Sequence, residues 1–249
     1  MPLDPQTVSQ FKAYYTTILN KDPLRQCDVV HSFTAWKTIF SGSSPALRAL
    51  LECQQFLQHR GKANQSTMNI GRSDIFDACD TGLDGRARFL MQMLWGHDPK
   101  DNRAKKKIVG WFENQLLVNH QDYLDLTNSI KAGDLKRAFS KLCGIRNLNT
   151  SYATKVLYFE ARRYMPLYPL IMDDRASAGL IRLTSPLASN CLCYSAPRLF
   201  LDLGKGLRAQ NVVLNLMWSK YWAYVDACHE LASYFNTSAD HVEYFLFDF

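Results

Sequence analysis

Asp173 is the residue whose type and position point most directly to chemistry. It follows the apolar run Pro169–Met172 and stands where a new helix is expected to begin. A helix dipole favours an ionised carboxylate at the first turn. Such a carboxylate can stabilise positive charge on a substrate, or orient and deprotonate a nucleophile. We therefore take Asp173 as the candidate catalytic group. Asp174 replaces it if the register is shifted by one residue, and a plain N-cap is the structural alternative.

A tight turn at Gly144–Asn149 is the second candidate element. It joins a short helix to a longer, amphipathic helix predicted from Thr150 to about Tyr164. This arrangement exposes backbone N–H groups at a helix N-terminus, where the macrodipole also favours an anion. Asn147 and Asn149 occupy the positions where glycines are expected, and asparagine is the non-glycine residue that best tolerates left-handed backbone. The segment therefore predicts a phosphate-binding helix-hairpin-helix.

Basic side chains could extend this phosphate-binding surface. The chain has 29 Lys and Arg against 23 Asp and Glu, a formal net charge of +6, which permits a polyanionic partner. The densest basic cluster contains Arg103 and Lys105–Lys107, although an ordinary solvated helix start explains it equally well. The residues predicted to bind nucleic acid are Arg146, Asn147, Asn149, Thr150, Ser151, Lys105 and Lys106.

The composition describes a globular chain. Its 249 residues are 47% hydrophobic, enough for one large domain or two small ones. The longest uncharged run, Leu183–Pro197, is too short and too polar to cross a bilayer, and the N-terminus lacks a signal-peptide pattern. The seven cysteines and six histidines match no metal-ligand spacing. We therefore expect reduced thiols in a cytoplasm, with no bound metal and no membrane partner.

Helical periodicity dominates the chain, whereas Ile70–Asp84 is turn-rich and polar. Helices are predicted over Leu47–His59, Lys107–Asn119, Leu135–Leu142 (after a stop at Gly133 and a cap at Asp134), Val213–Phe235 and Ala239–Phe247 (after the capping residues Asn236–Ser238). The predicted fold is mainly α, with two helical lobes, a helix-hairpin-helix motif and a cleft between the lobes. The predicted regions are an N-terminal helical region at 1–98, the hairpin lobe at 99–184, and C-terminal helices at 185–249 that pack back on the cleft.

The stretch Gly144–Phe159 followed by Pro169–Asp173 resembles the helix-hairpin-helix DNA glycosylase superfamily. Within it, Thr154–Phe159 (T-K-V-L-Y-F) and the P-L-I-M-D run are similar to bacterial proteins with the 8-oxoguanine DNA glycosylase fold. A weaker similarity extends through Tyr221–Phe247 and through Leu94–Pro99. The resemblance implies that Asp173 is the carboxylate that acts while the N-glycosidic bond breaks and positive charge builds on the sugar.

For members that also cut the strand, the resemblance implies a lysine nucleophile that forms a Schiff base. Counting back from Asp173 gives Lys155, whereas counting from the hairpin gives Ser151, one helical turn earlier on the same face. Lys155 could instead be a solvated lysine or a phosphate contact. Water would then attack and leave an abasic site. The resemblance also implies a stacking aromatic from the final helix for a flipped base, with Tyr244 and Phe245 as candidates.

The resemblance thus predicts an enzyme without a cofactor that flips a base out of double-stranded DNA and cleaves its N-glycosidic bond. It favours an oxidised purine such as 8-oxoguanine as the substrate, in base excision repair. It also suggests a monomer in the bacterial cytoplasm, associated with the nucleoid. The first alternative is antiphage defence by excision of a hypermodified base such as glucosylated hydroxymethylcytosine. The second is a non-catalytic helix-hairpin-helix DNA-binding protein, against which the retained Asp173 argues.

Overall fold

The structure is a computed structural model that describes residues 28–97, 100–113, 120–173 and 213–248, together with residues 9, 12, 13 and 176. Within these residues it contains ten helices and one two-stranded sheet. The predicted fold class, mainly α, is therefore confirmed. No helix in this part of the chain is both long enough and apolar enough to span a membrane.

The elements are numbered along the described chain. The strands are β1 (Val29–Ser32) and β2 (Thr67–Ile70), which pair antiparallel. The first helices are α1 (Phe33–Ile39), α2 (Ser44–His59), α3 (Arg72–Asp80), α4 (Gly85–Trp95) and α5 (Asn102–Glu113). The later helices are α6 (His120–Lys131), α7 (Leu135–Cys143), α8 (Thr150–Ala161), α9 (Val213–Tyr234) and α10 (Ala239–Asp248).

The chain divides into two compact units. The hairpin unit comprises Leu24–Arg163, and the aspartate unit comprises Met1–Pro23 together with Tyr164–Phe249. The hairpin unit carries α1 to α8 and the sheet, and the aspartate unit carries α9 and α10. The region boundaries predicted near residues 98 and 184, and the cleft, stay predictions.

Helix α3 occupies the segment that the sequence pattern described as turn-rich. Its acidic residues are not loop residues, because they pair with basic residues outside the helix. The buried Asp74 accepts a hydrogen bond of 2.8 Å from the backbone N–H of Gly71, which caps the helix start. Asp74 also accepts bonds from Arg60 (3.0 Å) and Lys62 (2.8 Å). Long-range ion pairing therefore permits a helix that apolar periodicity did not indicate.

Helix α8 is the central helix of the hairpin unit. Every residue from Ala153 to Ala161 is buried, and the helix packs against α3, α4, α6 and α7. The expected amphipathic character is therefore wrong, because neighbours surround this helix instead of leaving one face in water. Its predicted end near Tyr164 is also too late, since the helix ends at Ala161.

A buried carboxylate fixes α8 against its neighbours. Glu160 is 2% exposed, and its Oε1 atom accepts hydrogen bonds from Arg88 (3.0 Å), Gln92 (3.0 Å) and Tyr123 (2.8 Å). These donors lie on α4 and α6. A buried charge is tolerated only when it is paired and hydrogen-bonded in this way. The network therefore sets the position of the helix that carries Lys155.

The stop and restart predicted before α7 is confirmed. Gly133 has a φ of 79°, the left-handed conformation that glycine adopts without strain. Asp134 then accepts a hydrogen bond of 3.1 Å from the backbone N–H of Arg137 and caps α7. Helix α2 begins earlier than predicted, at Ser44. Helix α5 begins at Asn102, and the predicted continuation beyond Glu113 lies outside the described residues.

Helices α9 and α10 pack together in the aspartate unit and confirm the strongest periodic pattern. The residues at the predicted apolar spacing, Tyr221, Tyr224, Cys228 and Leu231, are each 0% exposed. Ser238 accepts a weak hydrogen bond of 3.4 Å from the backbone N–H of His241, consistent with the capping role predicted for this segment.

Candidate active site

The hairpin between α7 and α8 is held by two apolar side chains. Ile145 and Leu148 are 3% and 2% exposed, and the backbone N–H of Leu148 donates to the carbonyl of Ile145 over 3.0 Å. Asn147 has a φ of 66°, so the left-handed turn predicted at this residue is confirmed. Arg146 and Asn147, on either side of the turn, are exposed.

Asn149 contributes to the hairpin in a different way from that expected. Its backbone is extended, with a φ of −80°, and not left-handed. Its side-chain Oδ1 accepts a hydrogen bond of 3.3 Å from the backbone N–H of Tyr152. Asn149 is therefore the N-cap of α8, a position for which asparagine ranks among the best residues. Only one of the two asparagines replaces a conformationally required glycine.

The predicted phosphate contacts differ in accessibility. Arg146, Asn147 and Asn149 are exposed, Ser151 is half-buried, and Thr150 is buried. The first N–H groups of an α-helix have no carbonyl partner within the helix, and the macrodipole gives this end a partial positive charge. The exposed hairpin therefore has the geometry of an anion site, with Arg146 as its charged side chain.

The basic cluster at the start of α5 lines an open depression of about 500 Å³. Lys105 is half-buried and donates a hydrogen bond of 3.4 Å to the Oδ1 atom of Asn102, whereas Lys106 is exposed. The residues that line the depression are Ile39, Asn102, Lys105, Lys106, Val109 and Gly110. Two lysines at the rim of a groove can contact phosphates.

Lys155 lies inside the hairpin unit and not on its surface. The residue is 7% exposed, and its Nζ atom donates to the carbonyl oxygen of Gly96 over 3.4 Å. The same atom lies 5.5 Å from the ring centroid of Tyr152, one turn earlier on α8. The interpretation of Lys155 as an ordinary solvated lysine is therefore wrong. Ser151, the alternative position for a nucleophile, is half-buried.

The Tyr152 ring beside Lys155 is in contact with two further rings. The ring centroid of Tyr152 lies 5.0 Å from that of His97 and 4.8 Å from that of Trp111. A second amine, that of Lys107, lies 5.6 Å from the Tyr152 centroid. No sequence pattern connects His97 with Lys155, because His97 follows the end of α4 whereas Lys155 lies within α8. The one sequence feature that pointed to this region was the weaker similarity of the Leu94–Pro99 stretch to the glycosylase superfamily.

His97 is uncharged at neutral pH. Burial, together with the positive charges of Lys155 and Lys107, lowers the pKa of its imidazole to about 4. Within the described residues, neither the Nε2 atom of His97 nor the Nε1 atom of Trp111 has a hydrogen-bond partner, although both atoms are buried. Polar atoms without partners are rare in protein interiors, and each one calls for an explanation.

Asp173 ends a connector, residues 165–172, that belongs to the aspartate unit. Its Oδ1 atom accepts a hydrogen bond of 2.9 Å from the backbone N–H of Ala176, a helical residue. Asp173 therefore makes the side-chain bond to the third following residue that is typical of an N-cap, and the residue is half-buried. Asp174, the alternative candidate, lies outside the described residues.

Two buried tyrosines of α9 hold the backbone that leads to Asp173. The hydroxyl of Tyr221 donates to the carbonyl of Leu170 over 2.9 Å, and that of Tyr224 donates to the carbonyl of Ile171 over 3.0 Å. Burial raises the pKa of both phenols, so both hydroxyls remain protonated donors at neutral pH. The apolar side chains of Leu170 and Ile171 are themselves buried.

The start of the connector is tied to both helices of the aspartate unit. The hydroxyl of Tyr168 donates to the Oδ2 atom of Asp240 on α10 over 2.8 Å. The backbone carbonyl of Tyr168 accepts a bond of 2.9 Å from the Nε2 atom of His229 on α9. The chain approaching Asp173 is therefore restrained at Tyr168, Leu170 and Ile171, which preorganises the carboxylate.

The aromatic residues predicted to stack on a base are core residues in this structure. Tyr244 is 5% exposed and Phe245 is 0% exposed. A more accessible aromatic pair lies on α9, where Trp218 and Trp222 are half-buried and stacked, with ring centroids 5.3 Å apart. No sequence pattern selected these two tryptophans as candidates for stacking on a base.

Among the described residues, no group of three or more His, Cys, Asp or Glu side chains is placed to hold a metal ion. Cys53, Cys79, Cys143 and Cys228 are free thiols. Burial raises the pKa of Cys143 to about 12 and that of Cys53 well above its usual value, so these thiols are unreactive at neutral pH.

Comparison with known families identifies the chain. The family described as "Putative 8-oxoguanine DNA glycosylase OGG-like protein" matches residues 29–247, which include the hairpin, Lys155 and Asp173. No curated protein and no solved structure gives a significant match. Since the family match covers most of the sequence, the chain belongs to this OGG-like family.

Proposed function

We propose that this protein is a DNA glycosylase that flips a damaged or modified base out of double-stranded DNA and cleaves its N-glycosidic bond. The observation that carries this proposal is Asp173, a carboxylate that accepts a backbone hydrogen bond and ends a connector fixed by Tyr221 and Tyr224. Membership of the OGG-like family supports it. The protein would act as a monomer in the cytoplasm, at the nucleoid.

The proposed role of Asp173 follows from the charge that the reaction creates. When an N-glycosidic bond breaks, positive charge develops on the deoxyribose. A fixed carboxylate stabilises that charge without having to reorganise during the reaction. The hydrogen bond from the backbone N–H of Ala176 to the Oδ1 atom restrains the orientation of this carboxylate.

The proposed nucleophile is Lys155. A lysine side chain acts as a nucleophile through its neutral amine. Lys155 is buried, and the amine of Lys107 lies near the same Tyr152 ring. Its neutral amine would attack C1′ as the C1′–N bond to the base breaks and the base leaves with the electron pair. The nitrogen would then lose a proton and the C1′–O4′ bond would break with protonation of O4′, which gives a Schiff base from which the 3′ phosphate can be eliminated. If Lys155 does not react, water attacks and the product is an intact abasic site.

The proposed DNA contact is the hairpin, with Arg146, Asn147, Asn149, Thr150 and Ser151 on the backbone phosphates and Lys105 and Lys106 as additional contacts. The exposure of Arg146 and Asn147 and the partial positive charge of the α8 N-terminus support this assignment. For the base, the half-buried Trp218 and Trp222 offer more accessible ring surface than Tyr244 and Phe245.

The family description favours an oxidised purine of the 8-oxoguanine type as the substrate. A second candidate is a hypermodified phage base, such as glucosylated hydroxymethylcytosine, removed in antiphage defence. The asparagine at position 147, where a glycine is expected, supports a divergent member with a specialised substrate. A non-catalytic DNA-binding protein is the remaining alternative.

The test uses duplex oligonucleotides that each carry one candidate base, incubated with the full chain and then treated with alkali. We expect an alkali-labile site at one modified base and free base detectable by mass spectrometry. Oligonucleotides with unmodified bases are the control. Binding without base release from any of the oligonucleotides, and from genomic and modified phage DNA, would support the non-catalytic alternative.

Borohydride trapping separates lysine attack from water attack. We expect a covalent protein–DNA adduct with the wild-type chain that disappears in Lys155→Arg and persists in Lys131→Arg, an exposed lysine at the end of α6. Base release without any adduct would assign the attack to water. An adduct that survives Lys155→Arg would place the nucleophile elsewhere.

A further inference from the structure

We propose that the turn formed by Gly96 and His97 at the end of α4 is the element that positions the amine of Lys155. This inference rests on the proposed role of Lys155 as nucleophile. Three observations converge on it: the contact of the amine with the Gly96 carbonyl, the space that Gly96 leaves, and the shared contact of His97 and Lys155 with the Tyr152 ring.

Residue 96 has to be glycine in order to leave room for the Lys155 side chain. Its backbone conformation does not require glycine. Its φ of −81° is a conformation that any residue adopts. A Cβ atom at this position would lie 2.7 Å from the Nζ atom of Lys155, 3.1 Å from its Cδ atom and 3.2 Å from its Cε atom. These distances are shorter than van der Waals contact, so any side chain at residue 96 would displace the amine. The fold itself would tolerate the change, because the end of a lysine is flexible.

The carbonyl of Gly96 provides the directional part of this arrangement. It accepts from the Lys155 amine over 3.4 Å, a long hydrogen bond that fixes direction more than it adds binding energy. The Tyr152 ring, 5.5 Å from the amine, adds a cation–π contact. Backbone and ring together restrain an otherwise mobile side chain, which is what a nucleophile needs in order to attack one atom.

His97 completes the arrangement because its ring contacts the same tyrosine. The charged and titratable groups that act on His97 are Lys155, Asp101, Lys107 and His31. While His97 is neutral, it places no second positive charge beside the amine. When His97 takes up a proton, repulsion between the two cations changes the environment of the Lys155 amine. The imidazole and the amine are therefore coupled.

The experiment observes the amine directly and needs no glycosylase activity. The full chain is labelled with ¹⁵N and ¹³C at lysine, and the Lys155 side-chain NMR signal is assigned by its absence in Lys155→Arg. We expect Gly96→Ala to shift this signal, and Gly42→Ala to leave it unchanged because a Cβ there meets nothing within 4 Å. The Lys155 signal should also shift as the pH falls from 7 to 4, and this shift should be lost in His97→Phe.

The reaction provides a second readout. With a substrate duplex, borohydride trapping should fall by about 10- to 100-fold in Gly96→Ala, the effect of moving a reacting group by about 1 Å. DNA affinity and melting temperature should remain at the wild-type values. An unshifted Lys155 signal in Gly96→Ala, or one shifted equally in Gly42→Ala, would overturn the positioning role. Shifted signals with no adduct in any variant would instead reject Lys155 as nucleophile and leave the positioning role in place.

Discussion

The hydroxyl of Tyr224 donates a hydrogen bond of 3.0 Å to the carbonyl oxygen of Ile171, two residues before Asp173. Tyr221, one turn earlier on α9, makes the equivalent bond to Leu170. The backbone that presents the carboxylate is thus fixed by a helix from much later in the chain. The position of Asp173 depends on the folding of α9, which gives the first two predictions.

Replacing the carboxylate of Asp173 by an amide should abolish excision while preserving the fold. Asparagine also caps helices, so the bond from Ala176 can be kept. We expect Asp173→Asn to lower the excision rate by about 10²-fold or more, the scale of a lost electrostatic or acid–base group. Single-turnover rates measure this effect. Asp226→Asn, at an exposed position on α9, is the control. Wild-type rates in Asp173→Asn would reject the assignment.

Removing the Tyr224 hydroxyl should loosen the connector. Tyr224→Phe leaves the buried carbonyl of Ile171 without this donor, which costs about 1 to 3 kcal/mol of unfolding free energy. Tyr221→Phe should cost a similar amount. Excision should fall more in Tyr224→Phe, because its carbonyl partner is nearer to Asp173. Urea unfolding and single-turnover kinetics together test this difference. Equal losses of activity in the two variants would contradict it.

Arg146 should contribute one phosphate contact without contributing to stability. Its side chain is exposed on the hairpin, so Arg146→Ala should leave the melting temperature unchanged. The slope of log affinity against log salt should become shallower by about 0.9, the value for one lost phosphate contact. Fluorescence anisotropy at several salt concentrations gives this slope. The control is Arg137→Ala, which changes an exposed residue of α7 and should retain the wild-type slope. An unchanged slope in Arg146→Ala would contradict the assignment of Arg146 as a phosphate contact.

Truncation of Glu160 should destabilise the hairpin unit strongly. Glu160→Ala leaves the guanidinium of Arg88, whose side chain is 11% exposed, without its carboxylate. Breaking a buried pair in this way costs about 3 to 5 kcal/mol. The matched control is Glu52→Ala, which removes a pair with Arg48 whose side chain is 71% exposed. The control should cost less than about 1 kcal/mol. Similar unfolding free energies for the two variants would show that the network does not hold α8.

His97 should make the protein less stable in mild acid. Its pKa falls from 6.5 to about 4 on folding, so between these values the unfolded chain binds a proton that the folded protein does not. Stability is therefore complete above about pH 6.5 and falls toward pH 4, by up to about 3 kcal/mol. Denaturation across this range should show a smaller fall in His97→Phe. An identical pH dependence in both proteins would contradict the shifted pKa of His97.

Local interactions made much of the architecture predictable. The apolar spacing of α9 identified Tyr221, Tyr224 and Leu231 as core residues because a helix repeats its faces at fixed intervals. The stop at Gly133 and the left-handed Asn147 followed from the conformational preferences of those residues. Where packing or ion pairing dominated, the prediction failed. Helix α8 is buried on all sides, and α3 depends on the ion pairs of Asp74.

The sequence alone predicted the helical class and the hairpin. It also identified the carboxylate and the lysine that match a glycosylase pattern. The tertiary structure decided what surrounds them: Lys155 lies against Gly96 and near His97, and α9 restrains the approach to Asp173. The physical reason is that propensity, capping and resemblance act over a few neighbouring residues. Desolvation, cation–π contact and side-chain-to-backbone hydrogen bonding depend on residues brought together by folding, such as Gly96 and Lys155, which no local pattern relates.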